Sequence, residues 1–329
     1  DAINRNIIVN NEFTRRGREI PDEDELDKIC QEWTKIAVHM FENGSLLHVI
    51  YGIDVEPTYY MGDALDLGIK PAFGSPSGKR LLAETIVSYM PQHKTYVEPF
   101  VGGGAVFYKK KASEVEVLND LDKEIIFAFK FIQGITPEII ANLKKRKLTH
   151  SKGYFMRLKN RKPASRLERF YRFIYLQYFS FGGNRTSTST EGGRPTDNLI
   201  HRINSLVPAH DHLKGVHIYN QDFRNMIKQY DSTNTFFYFD PPYPEQKGSY
   251  ETGLTVDDLA KAIKGIRGKW ILSLPKKPQS LELAKKYNYK NVSVRRSFNQ
   301  LSSHVDKELL IANFPFQKNS LYLIEETES

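Results

Sequence analysis

The chain has 329 residues, of which 40% are hydrophobic and 26% charged, and a formal net charge of +8. This composition is typical of a globular protein of about two domains with a mild preference for a polyanionic partner, and no apolar run is long enough to cross a membrane. No signal-peptide pattern is present and the single cysteine, Cys30, excludes an internal disulfide and a cysteine-rich zinc site, so we expect a cytoplasmic protein.

Residues 1–60 are predicted to form an N-terminal helical extension. Pro21 and the acidic residues that follow it place rigid backbone and negative charge where a helix would begin. Apolar residues then recur at helical spacing from Leu26, and Asn43-Gly44 is a typical helix end. We expect this helix to pack on the main body of the protein, and a helix that binds a partner is the alternative.

From residue 79 onward, predicted strands alternate with predicted helices, which is typical of an α/β fold with a parallel, doubly wound sheet. Residues 132–214 interrupt the alternation and are interpreted as an insertion. The last two strands are separated only by a loop, so we expect a hairpin at one edge of the sheet. Strands are predicted at residues 95–100, 115–118, 216–219, 235–239, 270–274, 291–295 and 308–314, and helices at residues 81–89, from Val106 onward, and through Ile125, Ile126 and Phe129.

The first candidate site is the sequence EPFVGGG at residues 98–104, where a predicted strand runs into three glycines. Glycines allow a sharp turn and let a ligand approach the backbone closely. Asp120 stands sixteen residues beyond Gly104, at the end of the next predicted strand, where an acid can bind ribose hydroxyls. The dinucleotide fingerprint is absent, so the pattern favours a nucleoside with a small, non-phosphate tail, and S-adenosylmethionine fits. An ordinary strand-to-helix turn is the alternative.

A second glycine-containing loop, GSPSGKR at residues 74–80, is similar at first sight to a phosphate-binding loop. Only three residues separate Gly74 from Gly78, which departs from the nucleotide-triphosphatase pattern. Arg80 also stands where that pattern requires serine or threonine. We therefore do not expect a nucleoside triphosphate to bind here.

The sequence Asp240-Pro241-Pro242-Tyr243 directly follows the strand predicted at residues 235–239. The carboxyl end of such a strand faces the crevice where doubly wound sheets bind ligands. An exocyclic amine on a base is a poor nucleophile because its lone pair is delocalised into the ring. A carboxylate and a backbone carbonyl held by proline can each accept one N–H of that amine, and Tyr243 offers a flat face for a base swung out of the duplex.

Together, the glycine loop and the DPPY sequence resemble the cofactor and catalytic motifs of the amino-methylating DNA methyltransferases. Their order, with GSPSGK ahead of both, resembles the alpha group of Dam-like (D12 class) adenine-N6 methyltransferases over residues 73–314. The resemblance implies a Rossmann-like methyltransferase domain with an inserted, mainly helical target-recognition domain. The implied boundaries are residues 1–60 for the extension, 61–131 and 215–329 for the methyltransferase domain, and 132–214 for the recognition domain.

The resemblance also implies roles for individual residues. Gly102 and Gly104 would line the methionine part of the cofactor, Asp120 would bind the ribose, and Asp222-Phe223 would lie at the adenine. Before Lys79 the family has an aromatic residue, proline and two glycines, whereas this chain has Ser75-Pro76-Ser77-Gly78. Residues 308–311 resemble the closing strand of the family and are expected to be structural. The implied cofactor-binding set is Ser75, Lys79, Glu98, Pro99, Phe100, Gly102, Gly104, Asp120, Asp222, Phe223 and Asp240, and the implied catalytic set is Asp240, Pro241, Pro242 and Tyr243.

A basic block lies within the predicted insertion, where Glu168 is the only acid between residues 140 and 175. Such a density of Lys and Arg suits a DNA backbone, and a solvated helix face is the alternative. The aromatic run at residues 170–181 is predicted to be core. The polar loop at residues 182–197 is expected to be mobile without DNA and to order on it. The predicted DNA-binding residues are Lys144, Lys147, Arg157, Arg161, Asn184, Arg185 and Arg194.

The leading hypothesis is transfer of methyl from S-adenosylmethionine to adenine N6 in double-stranded DNA by base flipping. Cytosine N4 is an alternative because it presents the same exocyclic amine. Asp rather than Asn at position 240 argues against the glutamine-amide methylases. A catalytically inactive DNA-binding module and a metal nuclease are further alternatives. We expect no metal requirement, since methyl transfer from a sulfonium depends on positioning, and we expect a monomer.

Overall fold

The structure, a computed structural model, describes residues 71–73, 79–180, 183–186, 188, 197–242, 253–299 and 302–318. All of these lie in one compact unit, Gly68–Glu325. The predicted N-terminal extension lies outside the described residues, as do Ser75, Arg194 and Tyr243. Among the described helices, none is long and apolar enough to cross a membrane.

The described residues form a seven-stranded sheet with the order β3-β2-β1-β4-β5-β7-β6. Neighbouring strands from β3 to β5 pair in parallel, and β7 runs antiparallel to both β5 and β6. This arrangement confirms the doubly wound sheet and the hairpin predicted at its edge. The strands are β1 Thr95–Glu98, β2 Val115–Asn119, β3 His217–Tyr219, β4 Thr235–Phe239, β5 Lys269–Pro275, β6 Asn288–Asn299 and β7 Ser302–Ala312.

Strand β4 shows how the sequence divides the two faces of the sheet. All five of its residues are buried, as expected for an aromatic strand in a parallel sheet covered on both sides. Side chains alternate between faces, so Phe237 and Phe239 join the large apolar cluster on one face. Tyr238 and the following Asp240 belong to the opposite face. Pairing across the sheet places further buried polar side chains on that second face, namely Tyr96, Glu98, Glu116, Ser273 and Glu308.

Helices cover both faces, and six of the described α-helices begin with a residue whose side chain caps the first turn. Asp122 caps the helix that follows β2, and Asp222 caps the helix that follows β3. Short 3-10 turns occupy Lys79–Leu81 and Phe107–Lys109. The α-helices are α1 Ala83–Ser88, α2 Lys123–Gln133, α3 Pro137–Lys144, α4 Lys152–Asn160, α5 Arg166–Phe179, α6 Asp197–Asn204, α7 Leu206–His212, α8 Phe223–Tyr230, α9 Val256–Ile263 and α10 Pro278–Ala284.

The helix predicted from Val106 onward is wrong, because only the 3-10 turn Phe107–Lys109 follows the glycine loop. Lys110 has extended backbone, and its side chain is completely buried. Its ammonium lies 2.6 Å from the carboxylate of Glu116 on β2 and also donates to the Ser113 hydroxyl. Because Lys110 is buried against Glu116 on β2, the chain turns toward the sheet after the single 3-10 turn Phe107–Lys109.

The described part of residues 132–214 is mainly helical, as predicted, and contains α3 to α7. The aromatic run predicted at residues 170–181 is confirmed as core as far as Phe179, since every residue of α5 from Phe170 to Phe179 except Arg172 is buried. Phe181 lies outside the described residues. The rings of Phe170 and Phe131 stack with centroids 4.3 Å apart, which joins α5 to α2. The function of this segment in target recognition stays a prediction.

Candidate active site

Asn119, the last residue of β2, ties together the carboxyl ends of three strands. Its amide donates to the carbonyl oxygens of Pro99, beyond β1, and Gln221, beyond β3, at 2.9 Å each. Its side-chain oxygen accepts the N–H of Gln221 at 2.9 Å. The residue is only 1% exposed. The sequence alone did not predict this structural role of Asn119. The only sequence signal for it is the position of Asn119 directly before Asp120.

The glycine loop closes over the end of β2. Gly102 and Gly104 have φ values of 50° and 71°, in the left-handed region that favours glycine. A Cβ atom on Gly104 would also lie 3.2 Å from the ring of Phe129 and 3.3 Å from that of Tyr108. The N–H of Gly102 donates to the carboxylate of Asp120 at 2.9 Å. The structure therefore brings together the loop and the acid that were predicted to share one ligand.

Asp120 accepts two backbone hydrogen bonds, from the N–H groups of Gly102 and Asp122, both at 2.9 Å. Burial raises the pKa of its carboxyl to about 6, and the two hydrogen bonds oppose that rise. Each carboxylate oxygen keeps a lone pair for a further donor. The next residue, Leu121, is 57% exposed, so an apolar side chain stands open to solvent beside the acid.

The pair Asp222-Phe223 is divided between the surface and the interior. The ring of Phe223 is buried and lies 4.9 Å from that of Phe100, centroid to centroid. The Asp222 carboxylate accepts the N–H of Arg224 at 2.8 Å and forms a salt bridge with its guanidinium at 2.9 Å. Asp222 is exposed and acts as the cap of α8. The buried ring of Phe223 thus packs against the ring of Phe100.

Asp240 belongs to a buried cluster of charged residues at the end of β4. The Nζ atom of Lys79 lies 3.2 Å from Oδ1 of Asp240 and 2.5 Å from Oε2 of Glu308. The hydroxyl of Ser273 donates to the same Glu308 oxygen at 3.2 Å. We call Lys79, Asp240, Ser273 and Glu308 the Lys79 cluster. Pro241, which follows Asp240, is buried, and Pro242 is half-buried.

Glu308 was expected only to belong to a structural strand. That strand is β7, and it also delivers the carboxylate that lies nearest to the Lys79 ammonium. Nothing in the local sequence ELLI indicates this contact, because the two residues are 229 positions apart. The pairing of β7 with β5 brings them together.

Glu98 is a third buried carboxyl on the same face of the sheet. The hydroxyl of Tyr96 donates to it at 2.8 Å. Burial raises the pKa of Glu98 well above its usual range, and the neighbouring charge of Asp240 acts in the same direction. The Lys79 cluster itself contains two carboxylates, Asp240 and Glu308, and one ammonium, Lys79. In the described residues, no group of three or more His, Cys, Asp or Glu side chains could hold a metal ion.

The basic block divides into exposed and structural residues. Lys147, Arg157 and Arg161 are exposed, and Lys144 is half-buried. The Lys147 ammonium and the Arg157 guanidinium both approach the ring of Tyr154, at 5.2 Å and 5.6 Å from its centroid. These exposed cations form a positive surface on α4 and the segments that flank it.

Two other arginines of the block face inward. Arg169 donates to the Glu124 carboxylate of α2 at 2.6 Å, and Arg172 donates to the backbone carbonyls of Leu158 and Lys159 on α4. Both hold the helices together, although their density in the sequence indicated a DNA surface.

The described part of the polar loop turns back onto the sheet domain. Arg185, with a φ of 61°, forms a salt bridge with Asp122. Its guanidinium lies 5.1 Å from the ring centroid of Phe173. Asn184 accepts the N–H of Thr186. The structure therefore anchors Arg185 to a residue two positions beyond Asp120 and does not present it on the surface with Lys147 and Arg157.

Comparison with known proteins supports an enzyme that modifies DNA. The profile of the family described as D12 class N6 adenine-specific DNA methyltransferase matches residues 76–298. The chain is 25% identical over 276 residues to Type II methyltransferase M1.LlaDCHI of Lactococcus lactis subsp. cremoris, covering 75% of this chain and 96% of the relative. It is 27% identical over 247 residues to Type II methyltransferase M.MjaIII of Methanocaldococcus jannaschii, covering 67% and 85%. It is also 27% identical over 183 residues to Type II methyltransferase M.CviBI of Paramecium bursaria Chlorella virus NC1A, covering 53% and 69%.

Proposed function

Since this chain belongs to the family of D12 class N6 adenine-specific DNA methyltransferases, we propose that it transfers the methyl group of S-adenosylmethionine to N6 of an adenine flipped out of double-stranded DNA. The observation that carries the proposal is the placement of Asp240 and the glycine loop after β4 and β1, which are adjacent parallel strands. Ligands of doubly wound sheets bind at this edge. The adenine-specific family favours N6 over the cytosine N4 alternative.

The residues present fit S-adenosylmethionine. Gly102 and Gly104 would lie against the methionine part, since both have the left-handed backbone that favours glycine and carry no side chain that could obstruct a ligand. The Asp120 carboxylate has lone pairs for the ribose hydroxyls, and the exposed Leu121 offers an apolar surface to the purine. When bound, the cofactor supplies a methyl group on a sulfonium as the electrophile. The single negative charge of the Lys79 cluster complements that cation.

Asp240 would act on the exocyclic amine of the target base. Its carboxylate accepts one N–H, and a backbone carbonyl of the adjoining prolines accepts the other. Both acceptors favour a tetrahedral nitrogen, whose lone pair is then free to attack the methyl carbon. As positive charge develops on N6, the Asp240 carboxylate stabilises it in a buried site where such interactions are strong. As the nitrogen–methyl bond forms, the methyl–sulfur bond would break and leave S-adenosylhomocysteine. The nitrogen would then pass one of its two protons to water, and the enzyme would form no covalent bond with the base.

The DNA would lie across the exposed cations Lys147, Arg157 and Arg161. Lysine and arginine neutralise phosphates and release condensed counterions, so these residues bind the backbone without reading sequence. We assign target recognition to residues 132–214, with the polar loop at residues 182–197 reaching the bases. Several relatives are named Type II methyltransferases, and we place this chain in the same class.

The test is transfer of labelled methyl from S-adenosylmethionine to unmethylated genomic DNA, followed by digestion to nucleosides. We expect the label in N6-methyladenine. Asp240→Asn should lower the rate by about 100-fold or more, which is typical when a stabilising group is removed from the transition state, while binding of S-adenosylhomocysteine is retained. Glu282→Gln, an equivalent change at an exposed site on α10, should leave the rate unaltered. Label in N4-methylcytosine, or no label from a protein that binds cofactor and DNA, would contradict the proposal.

A further inference from the structure

We propose that Glu308 is a positioning residue for methyl transfer: it draws the Lys79 ammonium closer to itself than to Asp240 and adds negative charge to the site of a cationic cofactor. The inference rests on the methyl-transfer function proposed above. Glu308 itself would touch neither the base nor the cofactor, and it would act through Lys79 and through its charge.

The distances within the Lys79 cluster distinguish Glu308 from Asp240. The Glu308 carboxylate is nearer to the Lys79 ammonium, at 2.5 Å, than is the Asp240 carboxylate, at 3.2 Å. The Ser273 hydroxyl, which is completely buried, donates to the same Glu308 oxygen and limits its movement. Because Coulomb attraction weakens with distance, the Lys79 ammonium at 3.2 Å offsets the charge of Asp240 less than it would as the nearer partner.

Burial of the Glu308 carboxylate opposes folding. Glu308 is 1% exposed, and removing a carboxylate from water costs several kcal/mol, which a partner only partly offsets. The next residues of β7, Leu309, Leu310 and Ile311, are all buried and apolar. An apolar residue at position 308 would satisfy the packing of the strand equally well. An acid at this position therefore fits a function in the site better than a function in folding.

The direction of β7 determines where Glu308 lies in the sheet. Strand β7 runs opposite to β5, and Glu308 is paired with Pro275, the last residue of β5. The reversal brings a residue from the middle of β7 to the edge where the parallel strands end. That edge carries Asp240 and the glycine loop, so the position of Glu308 follows from the direction of β7.

The charges of the Lys79 cluster complement a cationic cofactor. The Lys79 cluster has two carboxylates and one ammonium, which leaves one negative charge to balance an incoming sulfonium. S-adenosylhomocysteine is a neutral thioether at the same position, so it gains less from that charge. Replacing Glu308 with glutamine removes the excess charge and leaves the Lys79 ammonium to interact with Asp240 alone among these carboxylates. The variant should lose preference for the cationic cofactor and should also lose catalytic rate.

The test compares the two cofactor forms by titration calorimetry without DNA, and then measures kcat and KM with DNA. In Glu308→Gln we expect affinity for S-adenosylmethionine to fall about tenfold, an ordinary size for the removal of a charge interaction at a ligand site, with a smaller change for S-adenosylhomocysteine. The value of kcat should fall about 100-fold with little change in the KM for DNA, as expected when an interaction made in the transition state is removed. Glu308→Asp keeps the charge but shortens the side chain, so it should preserve the ratio of affinities and lower kcat.

A double-mutant cycle between Glu308 and Lys79 tests whether Glu308 acts through Lys79. A purely structural residue would show no such coupling in kcat. In a double-mutant cycle, Glu308→Gln should have little further effect on kcat once Lys79→Met is present, because contacting residues are not additive. Glu282→Gln is the matched exposed control.

Equal loss of both cofactor forms, or additive effects with Lys79→Met, would overturn the inference. If Glu308→Gln does not fold, Glu308→Asp takes its place, and an unchanged kcat in that variant would overturn the inference. Wild-type protein that transfers no methyl group would refute the proposed function and this inference together. Normal wild-type transfer with an unaffected Glu308→Gln variant would refute the inference alone.

Discussion

Replacing Asn119 with alanine should destabilise the protein and loosen the cofactor site at the same time. The side chain makes three hydrogen bonds of 2.9 Å, to the Pro99 carbonyl and to both backbone groups of Gln221. It is nearly inaccessible to solvent, so water cannot readily replace these bonds. At about 1 kcal/mol of net stability for each bond, the loss in the free energy of unfolding is about 3 kcal/mol. For a unit of this size the melting temperature should fall by roughly 6–12 °C.

The free energy is best measured by urea unfolding followed by tryptophan fluorescence. The chain has two tryptophans, and a Trp33→Phe background leaves Trp270, buried in β5, as the reporter of the sheet. The control is Asn225→Ala on the exposed surface of α8, where alanine should be neutral or slightly stabilising. Titration with S-adenosylhomocysteine should show weaker binding in Asn119→Ala, because Asn119 aligns the strand ends that carry Pro99 and Asp120.

A loss of less than about 1 kcal/mol in Asn119→Ala would refute this reasoning, since it would be smaller than one net hydrogen bond. The reasoning would also be refuted if Asn119→Ala is destabilised as predicted but binds S-adenosylhomocysteine normally. That second result would show that the junction of the three strands supports the fold without shaping the cofactor site.

Two further predictions concern the ligands. Because the pKa of Asp120 is raised to about 6, the carboxylate gains a proton as pH falls through that value, so affinity for S-adenosylhomocysteine should weaken as the solution is acidified through that pKa. Asp120→Asn should bind weakly with no such pH dependence, and calorimetry at several pH values checks this; a wild-type affinity independent of pH would be the contrary result. Lys147→Gln with Arg157→Gln should lower the slope of log affinity for DNA against log salt by about 0.9 for each phosphate that the variant no longer neutralises. Fluorescence anisotropy measures the slope, exposed Lys264→Gln is the control, and an unaltered slope would remove these cations from the interface.

Local patterns were enough to predict most of the sheet. Strand β4 occupies Thr235–Phe239, the range predicted from its aromatic run, because five consecutive residues of high strand propensity leave little choice of conformation. The hairpin of β6 and β7 followed from the short loop between them. The helix expected after the glycine loop failed because the inward ion pair of Lys110 with Glu116 overrode local propensity. Such a contact with the next strand cannot be predicted from the residue pattern of a single segment.

The basic block shows a similar limit. Its composition correctly indicated a positive surface, and Lys147, Arg157 and Arg161 are exposed. Composition does not distinguish these residues from Arg169 and Arg172, which bind Glu124 and the end of α4. Which cations remain open to a phosphate depends on how the helices pack against one another.

The sequence by itself determined the family, the glycine loop with its acid, and the position of Asp240 at the end of a buried strand, because each depends on residues close together in the chain. Only the tertiary structure decided the partners of that aspartate. Lys79 and Glu308 meet across 229 positions, and they do so because β7 enters the sheet beside β5 in the reverse direction. Strand order and direction arise from the packing of the whole sheet, so no local period or motif encodes the contact.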